Sequence, residues 1–194
     1  MSKNLTPAHI FLTGEKHVGK STLVTSILAS TELRYKGLRS ISVFDENNDR
    51  NVFIIPAETA NRDNSIKTPA LVGVCSKRHI VLKKPEVFDD VGCSLLEPDN
   101  DTQLIVIDEI GNMERDASLY SEKIYLLLER NDIRILGVVQ KMAHTELSDT
   151  IRNHPNVRMI EVNEENRESL VLEVLDNLQE YLDKSNLVFQ KPLQ

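Results

Sequence analysis

Nine residues near the start of the chain have the types and spacing to do chemistry: Gly14-Glu15-Lys16-His17-Val18-Gly19-Lys20-Ser21-Thr22. They separate an apolar run, His9-Ile10-Phe11-Leu12-Thr13, from a helix-forming run, Leu23-Val24-Thr25-Ser26-Ile27-Leu28. The pattern G-x-x-x-x-G-K-[ST] between a strand and a helix is the phosphate-binding loop. Gly14 and Gly19 permit backbone angles and close approach that a Cβ would resist. Successive backbone N–H groups then face the phosphates, aided by the positive end of the helix dipole. In this reading Glu15, Lys16, His17, Val18 and Thr22 line the nucleotide. Lys20 reaches the β- and γ-phosphates, and the Ser21 hydroxyl binds Mg²⁺.

A second cluster follows some ninety residues later, where Ile105-Val106-Ile107 runs into Asp108-Glu109. A carboxylate ending a buried strand beside the first strand can hold the Mg²⁺ that Ser21 contacts, and Asp108 fits that place. Glu109 points toward the γ-phosphate as the base that accepts a proton from an attacking water. The adjacent carboxylate favours hydrolysis over transfer, and no compact Arg-rich lid of the kind a phosphotransferase uses to exclude water stands out. Two other uses of the loop stay open at this stage. One is a nucleotide-dependent switch or interaction module, and the other is a P-loop kinase for a small acceptor. Asn/Thr-Lys-x-Asp, the base-reading sequence of Ras-like GTPases, does not occur. Arg78, Arg115 and Arg167 are candidates for a cation that neutralises transition-state charge. His79, His144 and His154 have no ligand-like spacing.

The elements that must position these groups read as one domain, 1–194, with tails at 1–7 and 185–194. Strand signals fall at 8–13, 38–44, 51–55, 70–75, 78–82, 104–107, 133–139 and 157–162. Asp45-Glu46-Asn47-Asn48-Asp49 joins the second and third strands as a hairpin turn. Helices are expected at 20–31, from Pro85 through Leu95, at 116–131, and from Asn163 onward. Asn163 is the expected N-cap of the last of these, with Glu164 and Glu165 in its first turn. Strands alternating with helices predict an α/β fold: a three-layer, mostly parallel sheet with helices on both faces, and an antiparallel extension over about 36–83.

Charge and composition narrow the partners. The chain has 23 basic and 30 acidic residues, a net charge of −7, and no basic stripe. This argues against general nucleic-acid binding. The beginning of the chain lacks the apolar core of a signal peptide, and no run of 18 apolar residues exists. Cys75 and Cys93 have no metal-ligand spacing and read as free thiols of a cytoplasmic protein. Nothing in the composition specifies an oligomeric state.

Asp108-Glu109-Ile110-Gly111-Asn112-Met113-Glu114 resembles the D-E-I-G-x-M-E segment of the small P-loop nucleoside-triphosphatases. That family includes the cancer-related nucleoside triphosphatase and its thermophile homologues. Asn166-Arg167-Glu168-Ser169-Leu170 is similar to the family's N-R-x-x-L piece, and the resemblance spans about 8–183. It implies a RecA-type core and Mg²⁺-dependent hydrolysis of nucleoside triphosphates, ATP and GTP among them, with broad base tolerance. By the same resemblance, Lys20 and Ser21 are phosphate and metal residues, Asp108 is a metal-side carboxylate, and Glu109 is the base. The chain departs from the family at Lys16-His17, where Pro-Gly is common, and at Asn112, where a basic residue is frequent. It also lacks the G-F-x-x-E-x-R strand at Gly37-Leu38-Arg39-Ser40.

Overall fold

The computed structural model describes residues 7–58, 69–77 and 79–189, with side chains described to 179. Expectations for Arg78 and for the outermost tail residues lie outside this set. In chain order the elements are β1 (His9–Thr13), α1 (Lys20–Ser30), β2 (Tyr35–Phe44), β3 (Arg50–Pro56), β4 (Ala70–Ser76) and β5 (His79–Lys83). There follow a helical stretch α2 (85–95), β6 (Leu104–Ile110), α3 (Ser118–Leu128), β7 (Arg134–Val139), α4 (Glu146–Asn153), β8 (Val157–Glu161) and α5 (Ser169–Phe189).

Among the described residues the strands form one sheet in the order β5-β4-β3-β2-β6-β7-β1-β8. Strands β2, β6, β7, β1 and β8 run parallel, while β3, β4 and β5 add an antiparallel meander beyond β2. The α/β class and the antiparallel extension are therefore as expected. The placement of the second motif is not, because β7 lies between β6 and β1. Asp108 reaches the loop after β1 across an intervening strand rather than from a neighbouring one.

Alternation along β6 shows the layering. Ile105 and Ile107 pack with α2, α3 and α4, whereas Leu104 and Val106 pack with α1 and α5. Successive side chains of a strand point to opposite faces, so these clusters are the two outer seams of a three-layer core. All four residues are fully buried. Each contributes roughly 1.5–3 kcal/mol of apolar burial to holding the carboxyl end of β6 in place.

Several elements differ from expectation for identifiable reasons. Helix α2 is a turn at Pro85–Val87, a π-turn at Phe88–Gly92 and a closing turn at Cys93–Leu95. The ring of the buried Phe88 lies 5.2 Å from that of Tyr120 in α3, so the wider turn coincides with an aromatic packing contact. Helix α4 is absent from the sequence-based expectations. It is short, but Thr145 and Ser148 close a reciprocal capping box and Leu147 and Ile151 bury its inner face. Asn163 does cap, though not the final helix. Its Oδ1 accepts from the N–H groups of Glu165 and Asn166 in a turn, and α5 begins at Ser169. The backbone of α5 continues to Phe189, beyond the point where apolar periodicity fades. Cys75 and Cys93 are free thiols. No helix among the described residues is long and apolar enough to cross a membrane.

The β2–β6 contact is the tightest junction near the site. Gly37 has φ +135°, and a Cβ built on it would stand 2.0 Å from the Val106 carbonyl oxygen. Both the angle and the space require glycine. Gly37→Ala is therefore expected to lower unfolding free energy by about 2–4 kcal/mol, read as a lower urea midpoint with an unchanged slope. A shift smaller than that of an ordinary surface substitution would show that the strands separate there at little cost.

Candidate active site

The loop leaves β1 at Thr13 and re-enters regular structure at Lys20. Gly14, at φ +145°, lies so close to the end of β8 that a Cβ would be 2.4 Å from the Val162 carbonyl oxygen. Gly19, at φ +102°, is the N-cap of α1. That helix has no side-chain cap and no acidic residue in its first turn. Its leading N–H groups and dipole are thus left for an external anion.

Each expected loop residue has a definite place. Lys20 is buried, and its Nζ donates to the carbonyls of Gly14 at 2.9 Å and Glu15 at 2.8 Å. Glu15 turns its carboxylate outward to Lys141, which also pairs with Glu161 and so ties the loop to β8. Lys16, His17, Gly19, Lys20, Ser21 and Thr22 line a cavity of about 420 Å³. Val18 packs into the core instead.

Ser21 Oγ donates to Asp108 Oδ1 at 3.1 Å, joining the two motifs across 87 positions of sequence. Asp108 is almost fully buried. Burial pushes its carboxyl up, opposed by the Arg39 guanidinium and by the Ser21 hydroxyl. Arg39 Nε lies 3.4 Å from Asp108 Oδ2, and its Nη2 donates to the Ser21 carbonyl and to Thr25 Oγ1. A hydroxyl and a carboxylate oxygen side by side form a hard donor pair, the kind Mg²⁺ takes together with phosphate oxygens and water. The donor set fits that ion.

Glu109, one residue on, faces the same cavity. Gln140 Nε2 donates to its Oε1 at 2.6 Å, and no hydrogen bond to Oε2 occurs among the described residues. Gln140 is itself immobilised. Its N–H donates to the Ile110 carbonyl, its carbonyl accepts from Arg152 of α4, and its side chain fills the space a Cβ on Gly111 would need. The unexpected helix α4 therefore braces the residue that orients Glu109.

Glu114 completes the wall. It is 3% exposed, and its Oε1 accepts from the Gly111 N–H at 2.5 Å. Burial raises its carboxyl to about 7, with the charge of Glu109 adding to the rise.

Of the arginines considered from sequence, Arg115 is exposed and bonds Asn112. Arg167 lies over the loop, with its Cδ 3.6 Å from where a Cβ on Gly19 would sit. Arg39, Arg50 and Gln140 line or brace the site without having been singled out for it, whereas Glu114 belongs to the matched Asp108–Glu114 segment. The signals of the first three are weak locally: an arginine in a strand and a glutamine after one.

Comparison with known proteins places the chain and its fold. A family model described as NTPase matches residues 9–175. The nucleoside-triphosphatase THEP1 of Methanosarcina barkeri is 25% identical over 181 residues, covering 88% of this chain and 97% of that one. The crystal structure of THEP1 from Aquifex aeolicus aligns with a TM-score of 0.71 at 23% identity, covering 88% and 98% of the two chains. The solution structure of a human cancer-related nucleoside triphosphatase aligns at 0.68 with 23% identity, covering 89% and 97%.

The buried acid makes stability depend on pH with a definite sign. A carboxyl at about 7 in the folded chain and 4.5 in the ordinary state takes up a proton on folding between those values. Its contribution is complete below about 4.5 and is lost as pH rises through about 7. Glu114→Gln should remove that loss. Relative to wild type, the variant should gain on the order of 2–3 kcal/mol between pH 4.5 and 8, read from urea unfolding at each pH. Parallel pH profiles for the two proteins would refute the assignment.

Proposed function

Because this chain belongs to the NTPase family, we propose that it is a Mg²⁺-dependent nucleoside-triphosphatase, cleaving a triphosphate to diphosphate and phosphate with broad base tolerance. The observation that carries this reading is the convergence of Lys20, Ser21, Asp108 and Glu109 on one cavity at the carboxyl ends of parallel strands. Relatives carrying the name nucleoside-triphosphatase over nearly the whole chain support it further.

The loop N–H groups and Lys20 bind the phosphates, with Lys20 exchanging two backbone carbonyls for phosphate oxygens. Ser21 and Asp108 would hold Mg²⁺, which supplies charge neutralisation when bound. Glu109 takes the proton from a water whose oxygen attacks the γ-phosphorus. The bond from that phosphorus to the β,γ-bridging oxygen breaks, and the diphosphate leaves with the electron pair. Gln140 holds one carboxylate oxygen of Glu109, so the other can face the water. Base tolerance follows from recognition concentrated on phosphates, with no base-reading tetrapeptide in the chain.

Phosphate release from a panel of ribo- and deoxyribonucleoside triphosphates, with and without Mg²⁺, tests the reading. Wild type should release phosphate only with the metal and with little preference among bases. Lys20→Ala should lose nucleotide affinity as well as turnover. Glu109→Gln should still bind nucleotide but fall by about 10²–10⁴-fold in kcat. Gln140→Leu should lower kcat by about tenfold with KM nearly constant. Tight nucleotide binding without release, even over hours, would sink the hydrolase and turn attention to the switch or kinase alternatives.

A further inference from the structure

The cavity does not stop at the phosphate loop. It continues past Asp108 and Glu109 over β2 and β3, where Ser40, Ser42 and Arg50 line it with Val52, Phe88 and Met113. On the face shared with α2, position 38 of β2 is Leu and position 54 of β3 is Ile, both buried in the core. The strands pair Ser40 with Ile54, Ser42 with Val52 and Phe44 with Arg50. By alternation, residues 38, 40 and 42 share one face, as do 54, 52 and 50. The apolar row thus changes to two hydroxyls and a guanidinium while it still walls the cavity.

Arg50 has unused capacity. The hydrogen bond of its guanidinium runs from Nη2 to Cys75 Sγ at 3.3 Å, and a thiol is a weak acceptor. Arg34, Arg39, Arg130, Arg152 and Arg158 each pair with a carboxylate, whereas Arg50 has no such partner among the described residues. A half-buried cation with free donors, two small hydroxyls on its face and an apolar wall beside it is suited to a tetrahedral oxyanion.

We propose that Arg50, Ser40 and Ser42 form an oxyanion subsite for a phosphate group beyond the terminal phosphate of the bound nucleotide. The proposal rests on the reading above only in where it places that terminal phosphate. The group has two possible sources: the phosphate released by hydrolysis, or the phosphate of a second small molecule.

Binding without turnover tests the subsite. The full-length protein is saturated with Mg²⁺ and a non-hydrolysable nucleoside triphosphate analogue, which fills the terminal-phosphate position, and then titrated with inorganic phosphate by calorimetry. Wild type should bind phosphate. Arg50→Gln should weaken binding by at least tenfold and Arg50→Lys by less. Ser40→Ala with Ser42→Ala, expected to weaken binding several-fold, serves if Arg50→Gln lowers the melting midpoint by more than a few degrees. Wild-type affinity in the Arg50 and serine variants would overturn the subsite. A hydrolase that fails to turn over would show in the release assay and leave this titration interpretable.

Two further arms identify the source. If the ligand is the released phosphate, added phosphate should inhibit turnover in wild type but not in Arg50→Gln. If it is part of a second molecule, a nucleoside monophosphate should displace bound phosphate at concentrations below those of phosphate itself.

Discussion

The hydrogen bond from Ser21 Oγ to Asp108 Oδ1 is the constraint on which the rest of the site depends. It joins the first turn of α1 to the end of β6, a strand that is not a neighbour of β1. The span is possible because β7 fills the gap and sets β6 at a fixed lateral distance. Each strand in this block is buried on both faces, by the layer of α1 and α5 on one side and by the layer of α2, α3 and α4 on the other. Loosening of either layer would shift a carboxylate relative to a hydroxyl. An offset of about 1 Å is enough to cost two orders of magnitude in a positioned reaction.

How legible the site was in the sequence follows from how local each signal is. The loop, the carboxylate pair and most strands are encoded within runs of five to nine residues, where turn glycines, apolar runs and period-two alternation act locally. Strand order is not local. The insertion of β7 between the two motif strands depends on a crossover that runs from Ile110 to Arg134, and one buried β-branched run looks much like another. Gln140 illustrates the same limit. Nothing around it signals a role, because its partner Glu109 lies 31 positions away and its brace, Arg152, belongs to a short helix with only two buried apolar residues of its own. Arg39 and Arg50 escaped notice because arginine in a strand ordinarily reads as a solvated position.

An acidic chain that receives an anion must separate local field from net charge. The net charge of −7 is carried mostly by exposed carboxylates, many paired with lysine or arginine at the surface. In and beside the cavity the balance differs. The uncapped start of α1, Lys20, Arg39 and Arg50 supply positive field at short range, where low dielectric makes it count most. The acids there are managed individually. Asp108 has Arg39 beside it, Glu109 has the Gln140 amide, and burial keeps Glu114 partly protonated near pH 7. Partial protonation of Glu114 limits the like charge in the cavity without removing the hydrogen bond that shapes the Gly111 turn.

The departure at Lys16-His17 can be understood in the same physical terms. His17 has φ +63°, in the left-handed region where a glycine would sit without cost. Histidine tolerates that region better than most residues, yet the conformation still costs on the order of 1 kcal/mol. The loop holds it there because both ends are pinned, Gly14 against the Val162 carbonyl and Lys20 by two carbonyls of its own loop. In return, an ammonium and an imidazole stand at the mouth of the cavity, exposed and able to meet phosphate charge as it enters. The backbone of the loop thus keeps the geometry that two glycines set. The side chains between them adjust the charge an arriving nucleotide encounters, and the fold beneath is unchanged.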